Sequence, residues 1–238
     1  MRYVIVGDFH GASLKELRRY LEDINPDTII CLGDFGSRAT VHQFIPIERE
    51  FRRKGKESIK VPGDEDYRIF TNQKNSKIYN EWMNDKIAKE YLDNLVTPNG
   101  YRTGIFIDKE RFKTRYPAVI MHGAYRGDLS DLPDCSGDQC LFNLFGRLKT
   151  EEDYQKNFRV MERRGYKLMI RGHDHSPTYV CQNSQGIEIY EPKNGSVYPL
   201  SRDKTHLINP GPFYDGWISV IETRINGEKD PVVFFIEL

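Results

Sequence analysis

Tyr3-Val4-Ile5-Val6-Gly7-Asp8-Phe9-His10-Gly11 decides how this chain folds. Four apolar residues in succession make a strand buried on both faces, and a glycine followed by Asp-x-His ends it. Ser13, with Glu16 three residues on, forms a capping box for a helix in which Leu14, Leu17, Leu21 and Ile24 recur at helical spacing. Asn25-Pro26-Asp27 closes that helix. Thr28 to Leu32 repeats the buried strand and ends in Gly33-Asp34. Thr40 to Lys54 reads as the next helix, with Pro46 as a kink or a break, and Ser58 to Val61 as a third strand that ends in Pro62-Gly63-Asp64. Strand and helix periods alternating in this way predict parallel strands joined by crossover helices, an α/β fold.

Outward from this core, Ser76 to Leu95 is expected to be one long helix, because Ile78, Trp82, Tyr91, Leu92 and Leu95 fall largely on one face. Gly104 to Ile107 and Ala118 to Met121 read as strands, Glu151 to Arg164 as a helix capped by Thr150 and closed by Gly165, and Leu168 to Ile170 as a buried strand. Residues 125–149 carry Gly, Asp, Pro and Cys with little periodicity, which predicts a loop or lid insertion. Strand-like segments dominate from Thr178 onward. The last two, Trp217 to Arg224 and Pro231 to Glu237, predict a hairpin about Asn226-Gly227. No repeat or low-complexity linker intervenes, so residues 1–238 read as a single domain.

The 238 residues carry 35 Lys plus Arg against 35 Asp plus Glu, which excludes the uniform basic field of a nucleic-acid coat or an anionic membrane surface. Local patches such as Arg49, Arg52, Arg53, Lys54 and Lys56 read as a solvated helix face. No apolar run approaches the roughly 18 residues of a membrane span. Met1-Arg2 leads directly into the first strand without room for a signal peptide, so a cytoplasmic protein with no membrane partner is expected. Four cysteines are too sparse for a disulfide scaffold. Cys31 and Cys181 read as buried thiols, and Cys135 and Cys140 as ordinary reduced cysteines rather than a zinc site.

Five apolar runs end alike. Val6 leads to Gly7-Asp8-Phe9-His10, Leu32 to Gly33-Asp34, Val61 to Pro62-Gly63-Asp64, Met121 to His122-Gly123, and Ile170 to Arg171-Gly172-His173-Asp174-His175. Ligands of open α/β sheets bind beyond the carboxyl ends of the strands, so these endings should converge on one edge. Three carboxylates (Asp8, Asp34, Asp64) and four imidazoles (His10, His122, His173, His175) exceed what one catalytic metal takes. Nitrogen and oxygen donors without sulfur suit manganese, iron, cobalt, nickel or zinc, and a pair of ions about 3.5 to 4 Å apart would use all seven if one carboxylate bridged them. Of the six histidines, His42 and His206 fall outside this set, and a helix surface and a loop account for them.

The motif order resembles the calcineurin-like metallophosphoesterases, particularly their small prokaryotic phosphodiesterase branch: Gly7-Asp8-Phe9-His10-Gly11, Gly33-Asp34-Phe35, Gly63-Asp64-Glu65-Asp66, His122-Gly123, Gly172-His173-Asp174-His175 and Asn209-Pro210-Gly211. The resemblance spans about residues 3 to 225. It implies a four-layer αββα sandwich, two mixed sheets flanked by helices, with the metal site at the carboxyl ends of the strands. It also implies two divalent transition-metal ions, manganese favoured, the first held by Asp8, His10 and His175, the second by Asp64, His122 and His173, with Asp34 bridging. A hydroxide between the ions would attack a phosphodiester or phosphomonoester, small phosphate esters or nucleotides being the substrate class. Asp34, His122 and Glu65 would act in catalysis, and Gly211 would shape the floor of the site.

The pattern departs from the family's at four points. Asp64 stands where the family has a metal-binding Asn. Glu65 replaces a His that serves many relatives as the acid for the leaving group. Ser37 replaces the second Asp of the protein-phosphatase branch, and Pro212 follows Asn209-Pro210-Gly211 where Ser is usual. Two alternatives share the fold: a protein-binding scaffold like the retromer subunit of this family, and a nuclease. The scaffold relative has lost ligands whereas seven competent residues stand here, and near-neutral charge disfavours the nuclease, although nucleic acid as a substrate stays open. Nothing in the sequence fixes the oligomeric state.

Overall fold

Alternation along β1 (Arg2–Val6) sets the layering, because successive side chains of a strand point to opposite faces. Tyr3 and Ile5 enter one apolar cluster while Val4 and Val6 enter another. The computed structural model describes residues 1–71, 76–96, 104–107, 117–124, 145–223 and 230–238. After β1 come α1 (Lys15–Ile24), β2 (Thr28–Cys31), α2 (Arg38–Arg53) and β3 (Glu57–Lys60), with β1, β2 and β3 parallel. Then follow α3 (Asp64–Phe70), α4 (Ser76–Met83), α5 (Lys86–Val96), β4 (Gly104–Ile107), β5 (Ala118–Met121), α6 (Glu151–Arg163) and β6 (Leu168–Ile170). The chain finishes with β7 (Thr178–Asn183), β8 (Gly186–Tyr190), β9 (Val197–Pro199), β10 (Thr205–Asn209), a 3-10 turn at Phe213–Asp215, β11 (Trp217–Glu222) and β12 (Val232–Glu237).

These strands form two six-stranded mixed sheets, in the orders β3-β2-β1-β11-β12-β9 and β4-β5-β6-β10-β7-β8. Tyr3, Ile5, Ile30, Leu32 and Ile59 of the first sheet pack face to face with Ile107, Ile120, Leu168, Ile170 and Ile208 of the second. Outside the first sheet, Val4, Val6, Ile29 and Cys31 meet Leu17 and Leu21 of α1, Phe44 of α2 and Leu92 of α5. Outside the second, Val119, Met169 and Leu207 meet Phe158 and Met161 of α6. The result is the four-layer αββα arrangement. No described helix is long and apolar enough to cross a membrane.

Several local expectations change. Ser13 does not cap α1: Leu14 holds the N-cap position, without a side-chain cap, and its N–H donates to Gln43 Oε1 at 2.9 Å. The expected long helix is two, since Asp85 accepts the Ala88 N–H at 3.0 Å and so caps a fresh start for α5, and Ile78 is exposed. Pro46 lies inside α2 without ending it, and Ser37 caps that helix through the Thr40 N–H. Residues 125–144 of the expected lid, including Cys135 and Cys140, and the turn Asn226-Gly227 lie outside the described residues.

His206 is not in a loop but buried in β10, where Nε2–H donates to Ser201 O at 2.8 Å and Nδ1 faces the Tyr179 hydroxyl at 2.9 Å. Burial pushes its pKa down to about 4. Folded His206 therefore stays neutral between pH 6.5 and 4 while the unfolded chain takes up a proton there, and stability falls as pH falls through that window. The full difference is worth about 3 kcal/mol. Urea unfolding from pH 7 to 4 should show a steeper loss for the native chain than for His206→Gln. Equal slopes would remove His206 from the acid sensitivity.

Candidate metal centre

Phe9 and Phe35, each directly after a site aspartate, are fully buried and stack at 5.1 Å, with Phe213 edge-on to Phe9 at 5.5 Å. These rings anchor the loops that leave β1 and β2, so the flanking Asp8, His10 and Asp34 are turned toward the sheet edge. Among the described residues only six non-glycines have positive φ, and five of them are Asp8, His10, Asp34, His173 and His175, at +43° to +73°. Left-handed backbone costs these residues roughly 1 kcal/mol each, so the surrounding structure must enforce it. Glycine makes the close approach of the loops feasible: a Cβ on Gly33 would lie 2.1 Å from Gly63 N, and one on Gly63 2.0 Å from Asp34 Oδ1.

All seven residues expected from the sequence come together, in two groups. Asp8, His10, Asp34 and His175 offer donor atoms within 4.8 Å of one another, and Asp64, His122 and His173 do the same. In the first group, His10 Nε2 is 3.0 Å from His175 Nε2 and 3.7 Å from Asp34 Oδ2, and Asp8 Oδ1 is 3.6 Å from His175 Nε2. In the second, Asp64 Oδ1 is 3.4 Å from His122 Nε2 and 3.3 Å from His173 Nδ1. His122 Nε2 is also 3.3 Å from Asp34 Oδ2, so that one oxygen faces both groups.

The imidazoles are held in definite tautomers. His122 Nδ1–H donates to Leu32 O at 2.7 Å and His173 Nε2–H to Phe145 O at 3.1 Å, since a carbonyl can only accept. That leaves His122 Nε2 and His173 Nδ1 as lone-pair donors pointing inward. Both, together with Asp34 Oδ2, are buried without a hydrogen-bond partner. Three converging orphans are costly unless a cation satisfies them. Donors bound at roughly 2.0 to 2.2 Å to one ion lie about 3 to 3.5 Å apart, close to most of the separations within each group. The donor set thus fits divalent transition-metal ions.

Charge follows the same design. Burial raises the Asp8 carboxyl, against the pull of His122. Burial also works to raise Asp64, but His122 and His173 outweigh it and hold that carboxyl far below the carboxylate range. Burial disfavours a charged His122, yet Asp34, Asp64 and Asp8 raise its pKa well above that of free imidazole, so a cation bound at Nε2 would take the place of a proton there. His10 is raised chiefly by Glu65, whose carboxylate is 3.7 Å from Nδ1, and His175 is lowered by burial. The second oxygen of Asp64 is 3.0 Å from Arg68 Nη2, a positive partner for the charge that an Asn would not carry.

Side chains outside the donor set hold its loops in place. Asp66 accepts N–H groups from Asp34 (2.8 Å), Phe35 (3.0 Å) and Gly63 (2.9 Å), tying the loop after β2 to that after β3, and burial, then Asp34, raises its pKa to about 7. Arg171 is fully buried, donating to Gly123 O at 2.7 Å, to Gly146 O at 3.0 Å and to the Asp174 carboxylate. Asn209 donates to Gly172 O at 3.2 Å and accepts the Gly211 N–H at 3.1 Å, so Asn209-Pro210-Gly211 supports the loop that carries His173 and His175.

The family model for the calcineurin-like phosphoesterase superfamily domain matches residues 1–217. The chain belongs to this superfamily. Membership and the two donor groups together point to phosphoester hydrolysis with divalent metal ions as the class of chemistry. A metallophosphoesterase from Sphaerobacter thermophilus superposes with a TM-score of 0.68 at 18% identity, over 100% of this chain and 88% of the other. A protein serine/threonine phosphatase from Saccharomyces cerevisiae gives 0.60 at 11% identity, covering 100% and 80%, and a hypothetical protein from Pyrococcus horikoshii OT3 gives 0.57 at 11%, covering 100% and 87%. At these identities the likeness speaks for the fold. No curated protein matches the sequence significantly.

Proposed function

We propose that this superfamily member is a two-metal phosphoesterase, with Asp8, His10 and His175 holding one divalent ion, Asp64, His122 and His173 the other, and Asp34 bridging, and with phosphodiesters as the better substrates and manganese the favoured metal. Asp34 Oδ2 carries this reading: it is buried without a hydrogen-bond partner, 3.7 Å from His10 in one group and 3.3 Å from His122 in the other. Bound divalent ions supply Lewis acidity toward phosphoryl oxygens and activate water at neutral pH. The chain's own work is to hold donors in fixed tautomers, through Leu32 O and Phe145 O, and in left-handed backbone that cannot relax. Seven converging donors also argue against a scaffold that has given up catalysis. Manganese titration followed by metal analysis should find two ions per chain with hydrolysis of bis-p-nitrophenyl phosphate, both abolished by a chelator. Zero or one ion at saturation, or no turnover, would overturn the proposal.

Glu65 lines the cleft, as a leaving-group acid must, yet its carboxylate also faces His10 Nδ1. A carboxylate behind a ligating imidazole fixes the ring and strengthens it as a donor, and its loss costs about 10- to 100-fold. Glu65→Gln is therefore expected to lower turnover of aryl and alkyl esters by the same factor, about tenfold. A loss confined to alkyl esters would return Glu65 to the role of acid for the leaving group.

A further inference from the structure

Asp64 opens α3 and Arg68 follows one turn later, so the two side chains share a face of that helix. The carboxylate is divided between two tasks. Its Oδ1 faces the second donor group, 3.4 Å from His122 Nε2 and 3.3 Å from His173 Nδ1, while Oδ2 is 3.0 Å from Arg68 Nη2. The Arg68 side chain is 40% exposed, so burial does not fix it. Its guanidinium lies over the Phe145 ring at 4.8 Å, and Tyr67 meets that ring edge-on at 6.3 Å. The Phe145 carbonyl in turn takes the His173 Nε2–H at 3.1 Å. Arg68, Asp64, His173 and Phe145 therefore form a closed ring of contacts, which passes through two of the three donors of the second group.

This ring has a consequence for a divalent ion. A carboxylate with both oxygens free can bind an ion through both and brings a full negative charge, which holds the ion more tightly and lowers its Lewis acidity toward a phosphoryl oxygen. With Oδ2 engaged by Arg68, Asp64 offers one oxygen, and its charge is largely balanced. Resting on the two-metal phosphoesterase reading, we infer that Arg68 is a positioning residue: it keeps Asp64 a one-oxygen, nearly neutral donor, and so loosens the ion of the second group in favour of reactivity.

Manganese titration of the metal-stripped protein, read by the paramagnetic resonance of free Mn2+, gives stoichiometry and affinities without turnover. Arg68→Gln should tighten one of the bound ions about tenfold, because a positive neighbour is gone and both oxygens of Asp64 are free. Its kcat on bis-p-nitrophenyl phosphate at saturating manganese should nevertheless fall about tenfold. Arg68→Lys keeps the charge and should keep most of the native affinity. Asp64→Asn should loosen the same ion at least about tenfold, since its NH2 group would face Arg68 donor to donor, and adding Arg68→Gln should restore affinity to within about threefold of the native chain. An Arg68 that only supports its loop predicts the opposite sign, with weaker binding in Arg68→Gln and no recovery in the double variant. Either result overturns the inference. So does lower turnover at unchanged affinity, which would make Arg68 a substrate contact. In each of these cases two bound ions and turnover by the native chain leave the phosphoesterase standing. The expected affinities in a chain that hydrolyses no ester would uphold Arg68 and overturn the phosphoesterase instead.

Discussion

Replacing Asp34 by Asn is expected to leave fewer than two manganese ions per chain and to lower hydrolysis of bis-p-nitrophenyl phosphate at least about a thousandfold. The substitution is isosteric, but hydrogen bonding dictates how the amide must sit. Asp34 Oδ1 accepts the Glu65 N–H at 2.8 Å, so an amide oxygen would be retained at that position. The NH2 group would then occupy the place of Oδ2, between His10 Nε2 and His122 Nε2, where it can only donate. An atom that faced both donor groups with lone pairs would instead face them with hydrogens. Losing one divalent ion from a pair forfeits several kcal/mol of charge stabilisation, and about 4 kcal/mol is a thousandfold in rate. Stability should change little, because the buried orphan oxygen is removed along with its charge. Two ions still bound, with turnover within tenfold of the native chain, would show that Asp34 does not bridge.

Which parts of this molecule were legible follows from which signals are local. Tyr3 to Val6, Thr28 to Leu32 and Ser58 to Val61 are apolar runs ended by glycine and aspartate, and β1, β2 and β3 lie within a residue of those limits. The seven donors were legible for the same reason: each stands within five residues of the end of an apolar run. Where a boundary depends on one side chain's hydrogen bond, periodicity misleads. The apolar spacing from Trp82 to Leu95 runs on through Asp85, although that carboxylate caps a second helix, and α3 was hidden because Gly63-Asp64-Glu65-Asp66 reads first as a motif. His206 looked like a loop residue at the end of the polar stretch Ser201 to Thr205, yet strand pairing with Leu168 and Cys181 buries it.

The supports of the site were less legible than its donors. Left-handed backbone at Asp8, His10, Asp34, His173 and His175 has no sequence signal, since none of them is glycine, and only the packed surroundings impose it. Asp66 was visible as the last residue of its motif, but its task is to receive three backbone N–H groups from two loops, a relation between segments about thirty residues apart. The tautomers of His122 and His173 likewise depend on the carbonyls of Leu32 and Phe145, far away in sequence.

Arg171→Met should be the most destabilising single change at the site, by about 3 to 5 kcal/mol. The signal was present in the sequence as an arginine at the end of a buried strand, a position where a charge is paired or absent. Arg171 has no exposed surface, and its guanidinium joins three segments: the turn after His122 through Gly123 O, the start of the segment before α6 through Gly146 O, and its own loop through Asp174. Met fills much of the volume but leaves two buried carbonyls without donors and Asp174 without its counter-charge, which is where the energy goes. Since Gly123 adjoins His122 and Gly172 adjoins His173, loosening them should also weaken manganese binding in variants that remain folded. Arg171→Lys keeps the charge but not the three-way fork and should fall between. Adding Asp174→Asn to Arg171→Met should recover part of the stability, because the unpaired buried charge is then gone, whereas metal affinity should stay low, because the loops are still unlatched. Recovery of both together would mean that Arg171 serves only to neutralise Asp174, and a loss under about 1 kcal/mol for Arg171→Met alone would mean that the latch is not needed at all.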